Sequence, residues 1–599
     1  MISRNTLHRF SATIVVAAAL ALLRVGGTGL AQVQRGSISG TVTADQGEVR
    51  GFRVTAHNSQ YKIWYTVFTN KGKFTIPQAL PGLYDVTVLE LGYRSPTLPL
   101  QLGPGESKTL NFAVTKRAQT VTISGNSATI QDADAPGVAA TAAKTIWVNS
   151  MDDLYPAGPG RDLIKANCTG CHGENLGVMH RTKAGYLAGI AKMTEIGPGS
   201  IGNDFQINLG RTPLTAQQKD QMAEYLAANF GPPGAPDKRI RVERLVPDED
   251  VVSKAIYVSY DAPANLPVAP RGTVVGANMV DGVIAEQPFD ASIPHALHDP
   301  YISPIDGAIW YPDPPGNNIL RMDPKKLDPA ERWKVYPLKG TPRVGLHGLA
   351  LDSQGRVYWA EIRGGMLGEL DPKTGRQIRH KVGMPGSMLQ VVVDKDENVW
   401  FTNYLGGTLG KLDAKTRQVH MYSSPTPDNG LYGLAADQQG NVWAAGWQKG
   451  TVAKWDKKSQ SVIDYKVLNS WGMIRRIGVD SKGIVWFSEH HVGIVGSLDP
   501  ATGEITEYKM PVPGSKPYDA WPDNDGNIWL PDQPHGALVK FDPKTKKFTY
   551  YPETQLHQSV PKVEAEANNT IWYGSRGVPN VTAVHFYPEG YTATAPPLP

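Results

Sequence analysis

The chain has 599 residues, too many for one hydrophobic core, so several domains are expected. Its 41% hydrophobic and 19% charged content excludes a disordered polymer. The net charge is only +4 and no basic run is interleaved with aromatics, which excludes nucleic acid as the expected partner.

Residues 1–31 read as an export signal. Arg4 and Arg9 give a basic start, Ser11 to Leu23 an apolar run, and Gly29-Leu30-Ala31 a small-residue cleavage site. The apolar run is short for a membrane span, and no later segment approaches the roughly 18 residues a span needs. An uncleaved anchor is the alternative. A periplasmic or secreted protein without a membrane span after cleavage is expected.

Residues 32–117 alternate short strand-like runs with Gly, Asn and Pro: "GSISGTVTA", "FRVTAHN", "IWYTVFTN", "GKFTIP", "GLYDVTVLELGY" and "TLNFAVTK". This spacing predicts a small all-β sandwich. Through "GTV", "GKF" and "PGLYDVTVLELGY" it resembles the carboxypeptidase regulatory-like domain, which implies an adhesive or spacing module. Residues 118–147, rich in Ala, Ser, Thr and Asp, read as a linker.

Helical patterning follows over residues 148–236. "YLAGIAKM" has helical periodicity, and "TPLTAQQKDQMAEYLAANFG" predicts an amphipathic helix capped by Thr215 and stopped at Gly231. Here stand the only two cysteines, Cys168 and Cys171, with His172 directly after them. Cys-x-x-Cys-His is the attachment signature of a c-type haem: two thiols add to the porphyrin and the next imidazole ligates iron. A disulfide, a thiol redox pair and a zinc site compete with that reading. A redox pair would want a βαβ setting, and a zinc site would want further ligands, of which only His180 is near. One covalent haem c is the expectation.

The region resembles a class I cytochrome c, through the helix before "CTGCHG", the loop after it and the last helix ending "EYLAANF". The resemblance implies an all-α cytochrome c domain, Cys168 and Cys171 as thioether sites, His172 as proximal iron ligand and a methionine as distal ligand. Met179, Met193 and Met222 are candidates, with His180 as runner-up. Met193 is selected, because Met179 follows His172 too closely and Met222 lies inside the last helix. Electron transfer to a redox partner protein would follow.

Residues 237–599 repeat. "IWYPD", "VYWAE", "VWFTN", "VWAAG", "VWFSE", "IWLPD" and "IWYGS" place an aromatic anchor at Trp310, Tyr358, Trp400, Trp443, Trp486, Trp529 and Trp572, about 43 residues apart. Asp-Pro-x-Thr-Gly turns such as "LDPATG" preset the hairpins, since Pro fixes φ and Gly accepts a positive one. Seven such units predict a seven-bladed β-propeller. The expected fold is thus multidomain: a small all-β sandwich, an all-α cytochrome c and a seven-bladed propeller.

The position three past each anchor and the position fourteen before that should face each other across each inner hairpin. The pairs are Asp299/Asp313, His347/Glu361, Leu389/Asn403, Tyr432/Gly446, Arg475/Glu489, Tyr518/Asp532 and Pro561/Ser575. They should ring one channel mouth, which is the default place for a small-molecule ligand. Through "GLHGLALDSQGRVYWAE" and "RRIGVDSKGIVWFSEHHVGIVGSLDPATGEITEY" the propeller resembles the streptogramin B lyase (virginiamycin B lyase) family. The resemblance implies a magnesium-dependent C–O lyase with Mg2+ in the propeller mouth, and His347 and Glu361 as catalytic residues. The set is incomplete: Asp299, with His298 beside it, and Leu389 stand where the family has a second His, and Arg475 faces Glu489. Three functions follow as alternatives. The first is an exported haem protein whose propeller binds or oxidises a small substrate. The second is a metal-assisted lyase, and the third is a binding protein.

Overall fold

The computed structural model describes residues 33–117, 119–124, 127–132, 145–169, 173–194, 214–243, 245–266 and 295–591, apart from 339–343, 363–364, 383–387, 405, 470, 556–558, 577 and 588–589. The expected signal peptide, Cys171 and His172 lie outside the described residues. Among the described residues no helix is long and apolar enough to cross a membrane.

The N-terminal β domain is two facing sheets. One holds Gly36–Ala44, Lys73–Ala79, Tyr93–Arg94 and Ser107–Lys116, and the other Arg53–Asn58, Ile63–Phe68, Gly82–Leu89 and Leu98–Leu102. Alternate residues such as Ile38, Val54, Phe74, Val86 and Phe112 fill the space between them. Where a linker was expected, Gln119–Ser124 and Ser127–Asp132 form an antiparallel hairpin. The β-branched run Thr120-Val121-Thr122-Ile123 accounts for it.

Six four-stranded antiparallel sheets follow one another from Tyr301 to Pro552, and a seventh is built from Val563–Ala565, Ile571–Gly574, Asn580–Phe586 and Ala255–Asp261. The ring is closed by a strand that precedes it in sequence: Ala255–Asp261 pairs antiparallel with Asn580–Phe586. The other edge of that strand pairs with Ile63–Phe68 of the N-terminal domain. The last blade and one sandwich sheet are therefore a single eight-stranded sheet, and its exposed edge is covered.

The repeated anchors do more than pack. Trp400, Trp443, Trp486 and Trp529 each donate their indole N–H to an aspartate six residues earlier, at 2.7–3.0 Å: Asp394, Asp437, Asp480 and Asp523. The same aspartates accept backbone N–H groups of the turn between the two strands. A buried indole thus finds its partner in the turn that its own blade requires. Glycine on the third strand gives the aromatic side chains of the second strand room: a Cβ at Gly410 would sit 2.0 Å from the Phe401 ring, and one at Gly368 closer still to Trp359.

Among the described residues there is no independent all-α cytochrome c domain, which corrects the expected fold class. The protein is mostly β, with six α-helices among the described residues. Between residues 145 and 240 lie α1 (Met151–Leu154), α2 (Arg161–Asn167), α3 (Lys183–Thr194) and α4 (Ala216–Phe230). Thr215 caps α4 with a reciprocal Gln218 box. The segment is bracketed by a parallel strand pair, Thr145–Val148 with Asp237–Ile240. Its apolar cluster takes in Trp471 of the propeller. Short helices bury too little apolar surface to stand alone, so the segment borrows its core from the blade beneath it.

Candidate functional site

The propeller mouth is set by a repeated irregularity. In blades two to five the first strand carries a β-bulge against the second: Leu346 pairs with Glu361, Met388 with Asn403, Leu431 with Gly446 and Ile474 with Glu489. The expected facing pairs are therefore one residue out of register. The bulge frees the next residue from the ladder and re-aims its side chain. His347, Leu389, Tyr432 and Arg475 stand at that freed position, and Tyr518 follows the bridge between Pro517 and Asp532 in the same way.

These freed side chains converge from separate blades. The rings of His298 and His347 lie 4.6 Å apart. His347 Nδ1 donates to Leu389 O at 2.7 Å, because a carbonyl can only accept, and its Nε2 stands 3.4 Å from Tyr432 Oη. Tyr432 and Tyr518 hydroxyls are bonded at 2.9 Å. The Arg475 guanidinium lies 3.8 Å from the Tyr518 ring and 4.5 Å from that of Trp447. Arg475 also donates to His490 Nε2 at 3.2 Å, while His490 Nδ1 donates to Pro517 O. Arg476, also in the bulge, gives Asp299 a two-pronged ion pair at 2.8 and 3.0 Å.

The second members of the expected pairs stay outside this group. Glu361 accepts from Trp359 Nε1 at 3.0 Å and Arg379 Nε at 2.6 Å, so its hydrogen bonds and those of His347 run to different partners. Asp313 binds His295 and Asn318, and Asp532 binds His535. Sequence reasoning passed over Arg476 and left His298 outside the ring. The two-residue width of the bulge, which spans Arg475 and Arg476, is the signal that could have found Arg476.

Electrostatics follow from burial. Burial pushes the His298 imidazole down to about 4, against the opposing pull of Asp299, so it is neutral at pH 7. Burial alone would raise the Asp299 carboxyl, but the Arg476 guanidinium paired with it holds it well below the usual range. Burial, then Arg475, keeps His490 neutral, and burial with Lys516 pushes His491 down to about 3. In the same blade burial, with Glu507 beside it, pushes the Glu489 carboxyl up to about 9.

The helical segment docks at this mouth. Trp471 stacks on Tyr155 at 5.6 Å, donates to Asp152 at 2.9 Å and lies 4.2 Å beneath Lys165. Lys516 pairs with Glu174 at 2.7 Å. Gly173, at φ 50°, approaches so closely that a Cβ would stand 3.1 Å from the His491 imidazole. Cys168 is half-buried just past the end of α2 and packs against the segment's apolar cluster, as Met179 does. Met193 belongs to α3, and its side chain is outside the described residues. Met222 is buried in the cluster. Both ring nitrogens of His180 are engaged, by Phe230 O at 2.7 Å and Asp237 at 2.9 Å.

Residues 331–590 match the virginiamycin B lyase family and residues 37–115 match the carboxypeptidase regulatory-like domain. The chain therefore joins a carboxypeptidase regulatory-like domain to a virginiamycin B lyase-like propeller, and the helical segment falls within neither match. No curated protein matches the chain. Among solved structures, a catalytically inactive virginiamycin B lyase from Staphylococcus aureus with quinupristin is 16% identical, over 49% of this chain and 96% of that one, with a TM-score of 0.45. A streptogramin B lyase is 18% identical, over 41% and 95%, at 0.35. The WD40 β-propeller domain of Doa1 is 13% identical, over 49% and 93%, at 0.39.

Proposed function

We propose that the propeller mouth is a metal-assisted C–O lyase site that opens small esters or lactones by elimination, in a protein exported from the cytoplasm. The observation that carries this reading is the convergence of Tyr432, Tyr518, Arg475 and His347 in a buried mouth, on the part of the chain that matches the lyase family. Elimination removes a proton α to a carbonyl, forms a C=C bond and expels the ester oxygen as a carboxylate. The Tyr432 oxygen, held by the Tyr518 hydroxyl, takes the proton as Tyr432 passes its own hydroxyl proton to His347 Nε2, which is the acceptor nitrogen because Nδ1 donates to Leu389 O. Arg475 and Arg476 lie where negative charge develops on the carbonyl oxygen and on the leaving carboxylate. A cation of the kind the lyase resemblance implies would share that charge. Glu361, held by Trp359 and Arg379, anchors its blade and takes no step.

The test is product analysis with a set of lactones and cyclic depsipeptides in heavy-oxygen water. Elimination yields an opened product of unchanged mass carrying a new C=C bond and no solvent oxygen. Hydrolysis, with solvent oxygen in the product, would overturn the reaction class. Tight binding without turnover would leave the mouth as a binding site.

One observation favours a second activity in the same chain: the cysteine-bearing segment is docked on this mouth, with Gly173 against His491. Cys168, half-buried and packed on the same apolar cluster as Met179, is the first of the two thiols such an attachment would use. Cys171 would complete the attachment, His172 would ligate the iron and Met193 is the proposed distal ligand. A c-type haem bound there would supply one-electron transfer to a redox partner protein. Mass analysis of the exported protein checks this: a covalent haem adduct on the peptide holding Cys168 and Cys171 is expected, and unmodified thiols would refute it.

A further inference from the structure

Two equivalent positions of the repeat carry opposite chemistry. In blade two Glu361 ends the second strand, Arg379 stands on the outer strand, and the two are bonded at 2.6 Å. The same register in blade five brings Glu489 together with Glu507, so a carboxyl replaces the guanidinium. Glu489 is fully buried, and neither of its oxygens has a hydrogen-bond partner among the described residues. The cations around it are turned elsewhere. Lys466 donates to Lys449 O, Lys509 donates to Val492 O, and Lys165 of α2 lies over the Trp471 ring. Arg475, next to the strand partner of Glu489, packs on the rings of Tyr518 and Trp447. Glu507 is left as the neighbour, and an ionised carboxylate can only accept, so Glu489 bonds it only by keeping a proton of its own. Without that proton Glu489 is a buried charge beside a like charge.

The pair lies under the loop that docks the helical segment. Glu507 accepts the backbone N–H of Leu468 at 2.6 Å and that of Asn469 at 2.9 Å. Asn469 Oδ1 in turn accepts from Trp471 N at 2.9 Å, and Trp471 is the residue that stacks on Tyr155 and bonds Asp152. Gly472 closes over Glu489 so tightly that a Cβ there would stand 2.2 Å from Oε2. An ionised Glu489 needs water, and water reaches it by lifting Gly472, which carries Trp471 away from the segment.

We propose that Glu489 and Glu507 form a proton-operated latch: while they share a proton the loop bearing Trp471 is seated and the helical segment stays docked at the propeller mouth, and loss of the proton frees the segment. With the loop seated, burial first and Glu507 second hold the Glu489 carboxyl up at about 9, against the weaker pull of Lys509 and Lys466. With the loop lifted, water returns it toward the ordinary value of 4.5. Docking is therefore tightest below about 4.5, weakens by up to about tenfold per pH unit as pH rises toward 9, and levels off above that. The latch does not depend on which reaction the mouth performs.

Amide hydrogen exchange of the full chain between about pH 5 and 9, corrected for the intrinsic rate, tests this. In the parent, exchange in α2 and α4 should quicken by about three- to tenfold per pH unit while blades one to three keep their protection. Glu489→Gln keeps the shape and offers Glu507 an N–H donor at every pH, so its α2 and α4 should exchange at a corrected rate that does not change with pH. The proposal falls if the parent's helices quicken by less than about twofold per unit relative to the blades, or if Glu489→Gln keeps the parent's slope. Should Glu489→Gln fail to fold, the contrast between helices and blades in the parent alone decides.

Discussion

Replacing Arg476 by Met is the sharpest probe of how the mouth is held. Arg476 and Asp299 each expose about 3% of their side chains, and two hydrogen bonds of 2.8 and 3.0 Å join them. Met keeps much of the volume and removes the charge, so Asp299 is left ionised in a dry channel. Breaking one side of a buried pair costs ~3–5 kcal/mol. The guanidinium also lies 5.6 Å from the rings of both Tyr432 and Tyr518, worth ~0.5–2 kcal/mol more. A loss of ~4–6 kcal/mol is therefore expected in urea unfolding followed by tryptophan fluorescence, with chelator present so that no ion contributes. Adding Asp299→Asn removes the stranded charge, so the double variant should regain roughly 2–3 kcal/mol. A loss below ~1 kcal/mol, the size of a solvated pair, would refute the reasoning, as would strict additivity of the two substitutions.

Glu489 gives a pH signature. Its folded carboxyl titrates at about 9, above the ordinary value of 4.5, so the folded state holds a proton that the unfolded chain releases. Stability from this group is full below about 4.5 and falls as pH rises toward 9, by up to ~1.4 kcal/mol per pH unit. Glu489→Gln should flatten that slope between about pH 5 and 8, and an unchanged slope in the variant would count against the buried, protonated carboxyl. Trp471→Ala should free the helical segment at a cost of ~3–5 kcal/mol. Amide exchange in α2 and α4 would then quicken while blades one to three keep their protection; equal protection in both proteins would show that the docking contact is not what holds the segment. Tyr518→Phe keeps the ring beneath Arg475 and deletes the hydroxyl bonded to Tyr432. Lyase turnover should fall about 10²-fold or more with unfolding unchanged, and full turnover would remove the pair from the mechanism.

The N-terminal domain and the propeller are joined more closely than a bead-and-linker arrangement would require. Arg53 reaches from the sandwich to Glu553 O at 2.8 Å, and Arg332 of the propeller reaches back to Tyr61 O at 2.9 Å. With Ile63–Phe68 extending the last blade, the two units share one hydrophobic cluster. The sandwich therefore braces the one blade whose outer strand comes from a distant part of the sequence.

What the sequence determined by itself was periodic and local. The anchors about 43 residues apart and the turns just before them specify blades three to six from within, because the aspartate, the turn and the indole lie within a few residues of one another. The alternating strands of the N-terminal domain were legible for the same reason. The register at the mouth was not, because a bulge costs little locally and is chosen by packing around the channel; one residue of slip moved Glu361 out of the group that His347 joins. Only tertiary structure brought His298 and Asp299 beside His347, closed the ring with Ala255–Asp261 and set Arg476 against Asp299. The helical segment shows the same limit. Its helices and its Thr215 cap are written in short-range pattern, but its standing as part of the propeller, not a free all-α domain, rests on Trp471, more than 240 residues from its last helix. Contacts across such distances are fixed by which apolar faces remain uncovered once the blades have formed, and no local pattern in the chain records that.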